Sequence, residues 1–332
     1  MSLVPTVYES TDPGAPQLTG QAGSLTALLD AVLVDGYGVG AARKNGAGWT
    51  REFSATNVRV YRGSLVTGSG YYLRVDDSAV VGNARHGWGR GYEAMTSAMA
   101  GTNPVPTVAH RANGILLPKS TTLDSVARRW RVIANERFVY VFVDTRSAGS
   151  MFCWYAGDCI SYKPGDMHVF VMSCVKTDSW TGGYSDSEYL LSWRNFTFTP
   201  DPANCGLFIA RSHTGAVGAV ACDHFGVVGQ GTLFGGQGGA AYPSAINQGL
   251  LYEPARFISI AYGPRGELPG ALAPIQNIAS TEYLQDGQVI EGLDGTVDDR
   301  VLVVRTNRAC NIEGAITWRG VLLIRISGGW GS

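Results

Sequence analysis

The stretch that most constrains this chain is Phe138-Val139-Tyr140-Val141-Phe142-Val143, six residues without a polar side chain. Successive side chains of a strand point to opposite faces, so this segment is apolar on both. Strands of sheets that face water on one side alternate; strands covered on both sides read as continuous apolar runs. The run therefore predicts a strand in the middle of a sheet. One of its faces is expected to pack on another sheet or on the helix predicted below, and the other to meet a second layer or another protein.

The rest of the chain asks for cover as well. Of its 332 residues only 16% are charged, 44 are glycine, and the formal net charge is −1. An ordinary globular domain carries about 25% charged residues, and a free monomer uses charge for solubility. The low charge predicts that much of the surface is contact surface. No basic bias argues for nucleic acid as a partner. The beginning, "MSLVPTVYES", lacks the basic start and apolar core of a signal peptide. No apolar run reaches the ~18–20 residues of a membrane-spanning helix. These features predict synthesis in a cytosol and no direct membrane insertion. The cysteines, Cys153, Cys159, Cys174, Cys205, Cys222 and Cys310, form no CxxC pair and read as buried, reduced thiols, with a hairpin disulfide between Cys153 and Cys159 as the alternative.

One helix is predicted, over residues 24–35. Leu25, Leu28, Leu29, Val32 and Leu33 form an apolar stripe, Ser24 offers an N-cap hydroxyl, and Asp35-Gly36 offers a stop. Strands dominate elsewhere: 58–63 with 70–78 as a hairpin, 89–97, 129–134 with 138–145 across a turn at Asn135-Glu136-Arg137, 151–158, 168–175 after a Pro164-Gly165 turn, 206–212, 215–223 and 255–263. The glycine-dense run 226–249 reads as a long surface loop or an arm ordered by a neighbour, and "GPRGELPGALAP" (263–274) as a linker or domain edge. Three more strand patterns follow it. The predicted architecture is mainly β: an antiparallel sandwich-like core with one short N-terminal helix and a small C-terminal β domain. Its parts are an extended arm (1–22), a main domain (23–265) and the small domain (266–332).

Chemistry is harder to find. Cys222-Asp223-His224 invites a metal or nucleophile reading, but zinc wants four ligands and the nearest other candidate, His213, stands alone. Gly36, Gly38 and Gly40 follow a helix, whereas phosphate loops precede one. Asp76-Asp77, Asp158, Asp166 and Asp298-Asp299 read as turn-closing carboxylates before they read as glycosidase acids or calcium ligands. Trp130 and Trp154, in strand patterns, read as core; Trp180, in the loop "DSWTGGYSD", is the tryptophan best placed to bind something. No cofactor is implied.

Several stretches are similar, in order, to a family of tailed-bacteriophage virion proteins. They are "PTVYESTDPGAPQLTGQAGSLTALLDAVLVDGYG", "GWTREFSATNVRVYRG", "GYYLRVDDS", "GRGYEAMTS", "RRWRVIANERFVYVFVD" and "YAGDCISYKPGDMHVFV", together spanning roughly residues 4–175. These are hairpins and turns, so the resemblance implies architecture and a structural role and carries no active site. It implies a virion location, in tail, baseplate or head-associated parts, after assembly in the bacterial host cytoplasm. Expected partners are other virion proteins and copies of the chain itself, through obligate interfaces. Phe138, Tyr140 and Phe142 are the candidate contact residues, and Trp180 and Tyr184 the candidates for a host-surface glycan. A cell-wall hydrolase using Cys222 or an aspartate is the remaining alternative.

Overall fold

A computed structural model of the chain describes residues 4–81, 84–145, 151–173, 207–225, 250, 252–259, 263–274, 284–293, 295, 298–306 and 320–327. The protein is mainly β, with antiparallel sheets in a sandwich-like arrangement and one short helix near the N-terminus.

Strand β1 (Thr6–Glu9) opens the chain and lies along β9, described below. Residues 1–22 were expected to be an extended arm on the chain's own domain or a neighbour's, and its described part packs at home. Helix α1 (Ser24–Leu29) follows and runs on as a π-helical segment, Asp30–Asp35. The predicted stripe is buried: Leu25, Leu28, Leu29, Val32 and Leu33 are fully enclosed. The predicted cap is not the one used. Ser24 turns its hydroxyl to Thr19 O at 2.9 Å, and the Leu25 N–H donates instead to Asp77 Oδ2 at 2.7 Å. The stop holds: Gly36, at φ 72°, donates its N–H to Ala31 O.

Strands β2 (Thr50–Ala55), β3 (Val58–Arg62), β4 (Tyr72–Asp76), β5 (Val80–Val81), β6 (Ala84–Ser97), β7 (Ala100–Val105) and β8 (Ile115–Ser120) form one sheet. The long strand β6 is its spine and pairs with β4, β5, β7 and β8. Gly87, Gly89 and Gly91 alternate along β6, so one of its faces carries no side chains there. Leu25, Met172 and Phe170 press into that bare face, and a Cβ on Gly91 would stand 2.3 Å from Phe170 Cε1.

The second sheet holds β1 with β9 (Trp130–Asn135), β10 (Phe138–Val143), β11 (Phe152–Asp158), β12 (Ile160–Ser161), β13 (Phe170–Ser173), β14 (Leu207–Ile209), β15 (Val220–Phe225), β16 (Tyr252–Ser259), β17 (Gly263–Pro274), β18 (Val289–Glu291), β19 (Arg300–Thr306) and β20 (Gly320–Arg325). Its register explains the doubly apolar strand. Val139, Val141 and Val143 lie opposite Ala134, Val132 and Trp130 on one side and Ala156, Trp154 and Phe152 on the other. Cross-strand partners share a face, and this face meets the helical segment and the glycine face of β6: Tyr37 packs edge-on against Trp130, and Met172 reaches Gly89. Phe138, Tyr140 and Phe142 share the other face with Tyr155, whose ring centroid is 4.7 Å from that of Tyr140. Here the same sheet curls back, and the Tyr140 hydroxyl donates to Pro269 O of β17 at 2.8 Å.

Two expectations are thereby corrected. Phe138, Tyr140 and Phe142 are 2%, 0% and 0% exposed within one chain, so they are core and offer a partner no surface. The stretch 263–274, expected as a linker, is strand β17, paired with both β16 and β20, so the C-terminal strands extend the same sheet. Cys153, Cys159 and Cys222 are buried free thiols, and no disulfide joins the first two. The run 226–249 and the residues Trp180 and Tyr184 lie outside the described residues.

Candidate functional site

A cluster of titratable side chains near the surface lies where the rims of the two sheets meet, around Glu93. Glu93 projects from β6. Tyr71 stands just before β4, Asn103 is on β7, His168 lies just before β13, and Arg211 follows β14. Arg211 closes a two-pronged bond on the carboxylate, Nε to Oε1 at 2.5 Å and Nη2 to Oε2 at 2.7 Å. The Tyr71 hydroxyl donates to Oε1 at 2.7 Å and Asn103 Nδ2 to Oε2 at 2.6 Å. His168 Nδ1 lies 3.3 Å from the Tyr71 hydroxyl and 3.7 Å from Oε1. The Tyr71 ring stacks on Phe170 at 5.2 Å, which fixes the hydroxyl.

This geometry dictates the chemistry. Each carboxylate oxygen receives two donors, which fills the sites a carboxylate has to offer. The Arg211 bonds, with those of Tyr71 and Asn103, hold the Glu93 pKa down to about 2, so it stays charged. A general base needs a free lone pair and a pKa near its working pH; Glu93 has neither. Burial, then the Arg211 charge, lowers the His168 pKa and favours the neutral ring. Burial, then the bond to Glu93, raises that of Tyr71, which remains a donor. Glu93 belongs to the first sheet described and Arg211 to the second, so the cluster is a polar clamp between layers.

A shallow notch beside it is lined by residues that include Ser64, Ser69, Tyr71, Arg137, Asp158 and Phe170. Its polar groups are also committed to one another. Ser69 gives its N–H to Asp158 Oδ2 at 2.7 Å and its hydroxyl to Oδ1, while Arg137 Nε lies 3.5 Å from Oδ2. Asp158 thus ties the β3–β4 connection to β11. Burial raises its pKa against the pull of those bonds.

The residues singled out from sequence do not converge. Cys222 is buried on β15; the side chains of Asp223 and His224 lie outside the described residues. Asp76 pairs with Arg74, Asp166 with Arg265 and Asp299 with Arg325, each a separate tie. Trp130 and Trp154 are core, at 1% exposure each. Among the described residues no three His, Cys, Asp or Glu side chains gather as a metal site would require. No helix among them is long and apolar enough to cross a membrane. The Glu93 clamp was missed in the sequence because its members come from five separate segments. The one local signal is a carboxylate inside a strand pattern of a chain poor in charge.

No family model matches the chain, and no curated protein matches it at a significant level.

Proposed function

We propose that this protein is a non-enzymatic structural component of a tailed-phage virion, placed in the tail-tip or baseplate region and acting by assembly with other virion proteins and with copies of itself. The observation that carries the reading is the Glu93 clamp: this cluster of titratable groups near the surface has every carboxylate acceptor site engaged in holding two sheets together. A rigid scaffold benefits from such a tie, whereas a catalytic carboxylate needs an open coordination site. The resemblance of residues 4–175 to virion proteins points the same way.

With Phe138, Tyr140 and Phe142 in the core, the contact surface falls to other residues. Leu65 and Val66 are 62% and 94% exposed between β3 and β4; Met99 is 71% exposed between β6 and β7, Met167 68% before β13, and Val217 65% between β14 and β15. Large apolar side chains on hairpin connections are the groups an assembly interface would cover.

Light scattering on the purified chain tests the assembly reading: multimers are expected at micromolar concentration, and a stable monomer would overturn it. Mass spectrometry of purified virions and of their separated tails tests the location. The chain is expected in the tail fraction; its absence from virions would sink the proposal. Zymography on peptidoglycan separates the hydrolase alternative, since a clearing band lost in Cys222→Ala would replace this reading with that one.

A further inference from the structure

At the far end of the β4–β6 ladder from the clamp, a lysine and an aspartate meet, both fully buried. Asp77 follows the end of β4, and Lys119 sits on β8; both side chains are 0% exposed. The register between β6 and β8 explains how Lys119 comes to point inward. Arg85 lies opposite Ser120 and His86 opposite Pro118, so Lys119 is the extra residue of a β-bulge. Bulges re-aim a side chain out of the normal alternation. Lys119 Nζ lies 2.5 Å from Asp77 Oδ1 and donates to Gln21 O at 2.7 Å. Asp77 Oδ2 accepts the Leu25 N–H at 2.7 Å.

We propose that Lys119 and Asp77 condense into an intramolecular isopeptide bond, Nζ to Cγ, once the chain has folded.

Three features support the step. The first is proximity: the reacting groups touch and are held by separate elements, which is what turns a slow two-body reaction into a fast one-body reaction. The second is dryness. Burial raises the pKa of Asp77 and lowers that of Lys119, and the nearby Arg85 charge lowers the lysine further. Both shifts bring the uncharged acid and amine closer in energy to the ion pair, so the neutral pair that reacts is easier to reach. His86, also fully buried, closes the site; burial and the Lys119 charge push its pKa down to about 3, so it adds no charge of its own.

The third feature is the fit of the product. An ammonium has three hydrogens to place, and among the described residues Gln21 O and Asp77 Oδ1 accept from Nζ. The amide that would replace the pair has one N–H and one carbonyl. Gln21 O stands ready for the first and the Leu25 N–H for the second. That same N–H would steady the negative oxygen that forms while Nζ adds to the carboxyl carbon.

The step balances without a further reactant. The ammonium passes one proton to Oδ1 across the existing hydrogen bond, giving amine and carboxylic acid. The amine nitrogen then bonds to Cγ, the C–OH bond breaks, and the hydroxyl leaves with a second nitrogen proton as water. Nothing is oxidised or reduced.

Intact-mass measurement on the purified full chain is expected to read one water below the sequence mass. Tryptic digestion is expected to leave the Lys119–Ser120 bond uncut and to yield a branched peptide joining the segments that carry Asp77 and Lys119. In Lys119→Met the missing water is expected to return. A full sequence mass in the native-sequence chain, with trypsin cutting after Lys119, overturns the proposal however the variant behaves. A water loss that maps to any other pair of residues overturns it equally.

Discussion

The Glu93 clamp and the Asp77–Lys119 pair use the same materials, a carboxylate and a cation brought together from different strands, and come out opposite. At the clamp the side chains keep 16% and 18% exposure. Water is close, the guanidinium fork is planar and complete, and the carboxyl pKa falls to about 2. At the inner pair exposure is nil, and the pKa of the acid rises while that of the base falls. Contact distance does not separate the two sites. Solvation does: a charge taken out of water loses hydration that one partner does not fully replace. The wet pair is a lasting salt bridge; the dry pair is chemically poised.

The largest expected effect comes from breaking the dry pair. Asp77→Ala leaves Lys119 buried without a counter-charge and removes the cap on Leu25, at a cost of about 3–5 kcal/mol. If the isopeptide forms, the variant also loses a cross-link between residues 42 apart in sequence; closing a loop of that length is worth about 4 kcal/mol in the chain-entropy account. Chemical denaturation measures the total. The double variant Asp77→Leu with Lys119→Met is expected to recover part of the first loss and none of the second. A double variant as stable as the parent would mean that no covalent tie exists.

The next effect depends on pH and is read at His86. Its folded pKa is about 3 against an ordinary 6.5. The unfolded chain therefore binds a proton that the fold refuses, and stability falls as pH drops from about 6.5 toward 3. The full window is worth roughly 5 kcal/mol with Lys119 charged, and less in a cross-linked chain, where burial alone depresses the ring. His86→Phe, which takes no proton, is expected to flatten that slope. Unfolding curves between pH 7 and the acid limit that superimpose for parent and variant would contradict the burial assigned to this ring.

Much of the fold could be read in the chain, and the failures have physical causes. The apolar run of β10 named its own place, because six residues without a polar side chain admit only a doubly covered strand. What it could not reveal was the owner of the cover, which proved to be the same chain: β6 and the helical segment on one side, β17 on the other. Strand β17 was hidden by Pro264, Pro269 and Pro274, which signal a linker. Pairing with β16 shifts register between Pro254 and Arg256, and Pro269 falls in that interruption, where its missing N–H breaks no bond in that ladder. Gly89 and Gly91 fall inside a predicted strand, but the flat surface they make for Met172 and Phe170 could not be read from the chain. Neither pair of charges could be located, because what distinguishes them is long-range: Lys119 and Asp77 are 42 positions apart, and Glu93 and Arg211 are 118 apart.

That flat surface gives a third test. Gly91→Ala puts a methyl group 2.3 Å from Phe170 Cε1, which must move or force the sheets apart. Overpacking of this kind costs about 1–3 kcal/mol. Because Phe170 also carries the Tyr71 ring, the strain is expected to reach the Glu93 clamp and leave the inner pair alone. A thermal shift with unchanged acid sensitivity below pH 4.5 would show the clamp to be independent of the packing beneath it.

The smallest expected effect belongs to the clamp itself. Glu93→Gln keeps the shape but removes the charge that Arg211 grips, and one amide N–H then faces a donor. At neutral pH the loss should be about 1–2 kcal/mol, since charge-assisted hydrogen bonds are strong but solvent reaches this site. The sign of its pH dependence follows from the lowered pKa. The stability that Glu93 adds is complete above its ordinary 4.5 and disappears as pH falls toward about 2, where the folded carboxylate finally takes a proton. Parent and variant should therefore converge in that window, which overlaps the acid end of the His86 range and extends below it, so the comparison is best made in the His86→Phe background. If the two curves stay parallel down to pH 2, Glu93 contributes shape and no charge, and the contrast between a wet bridge and a dry one would rest on the inner pair alone.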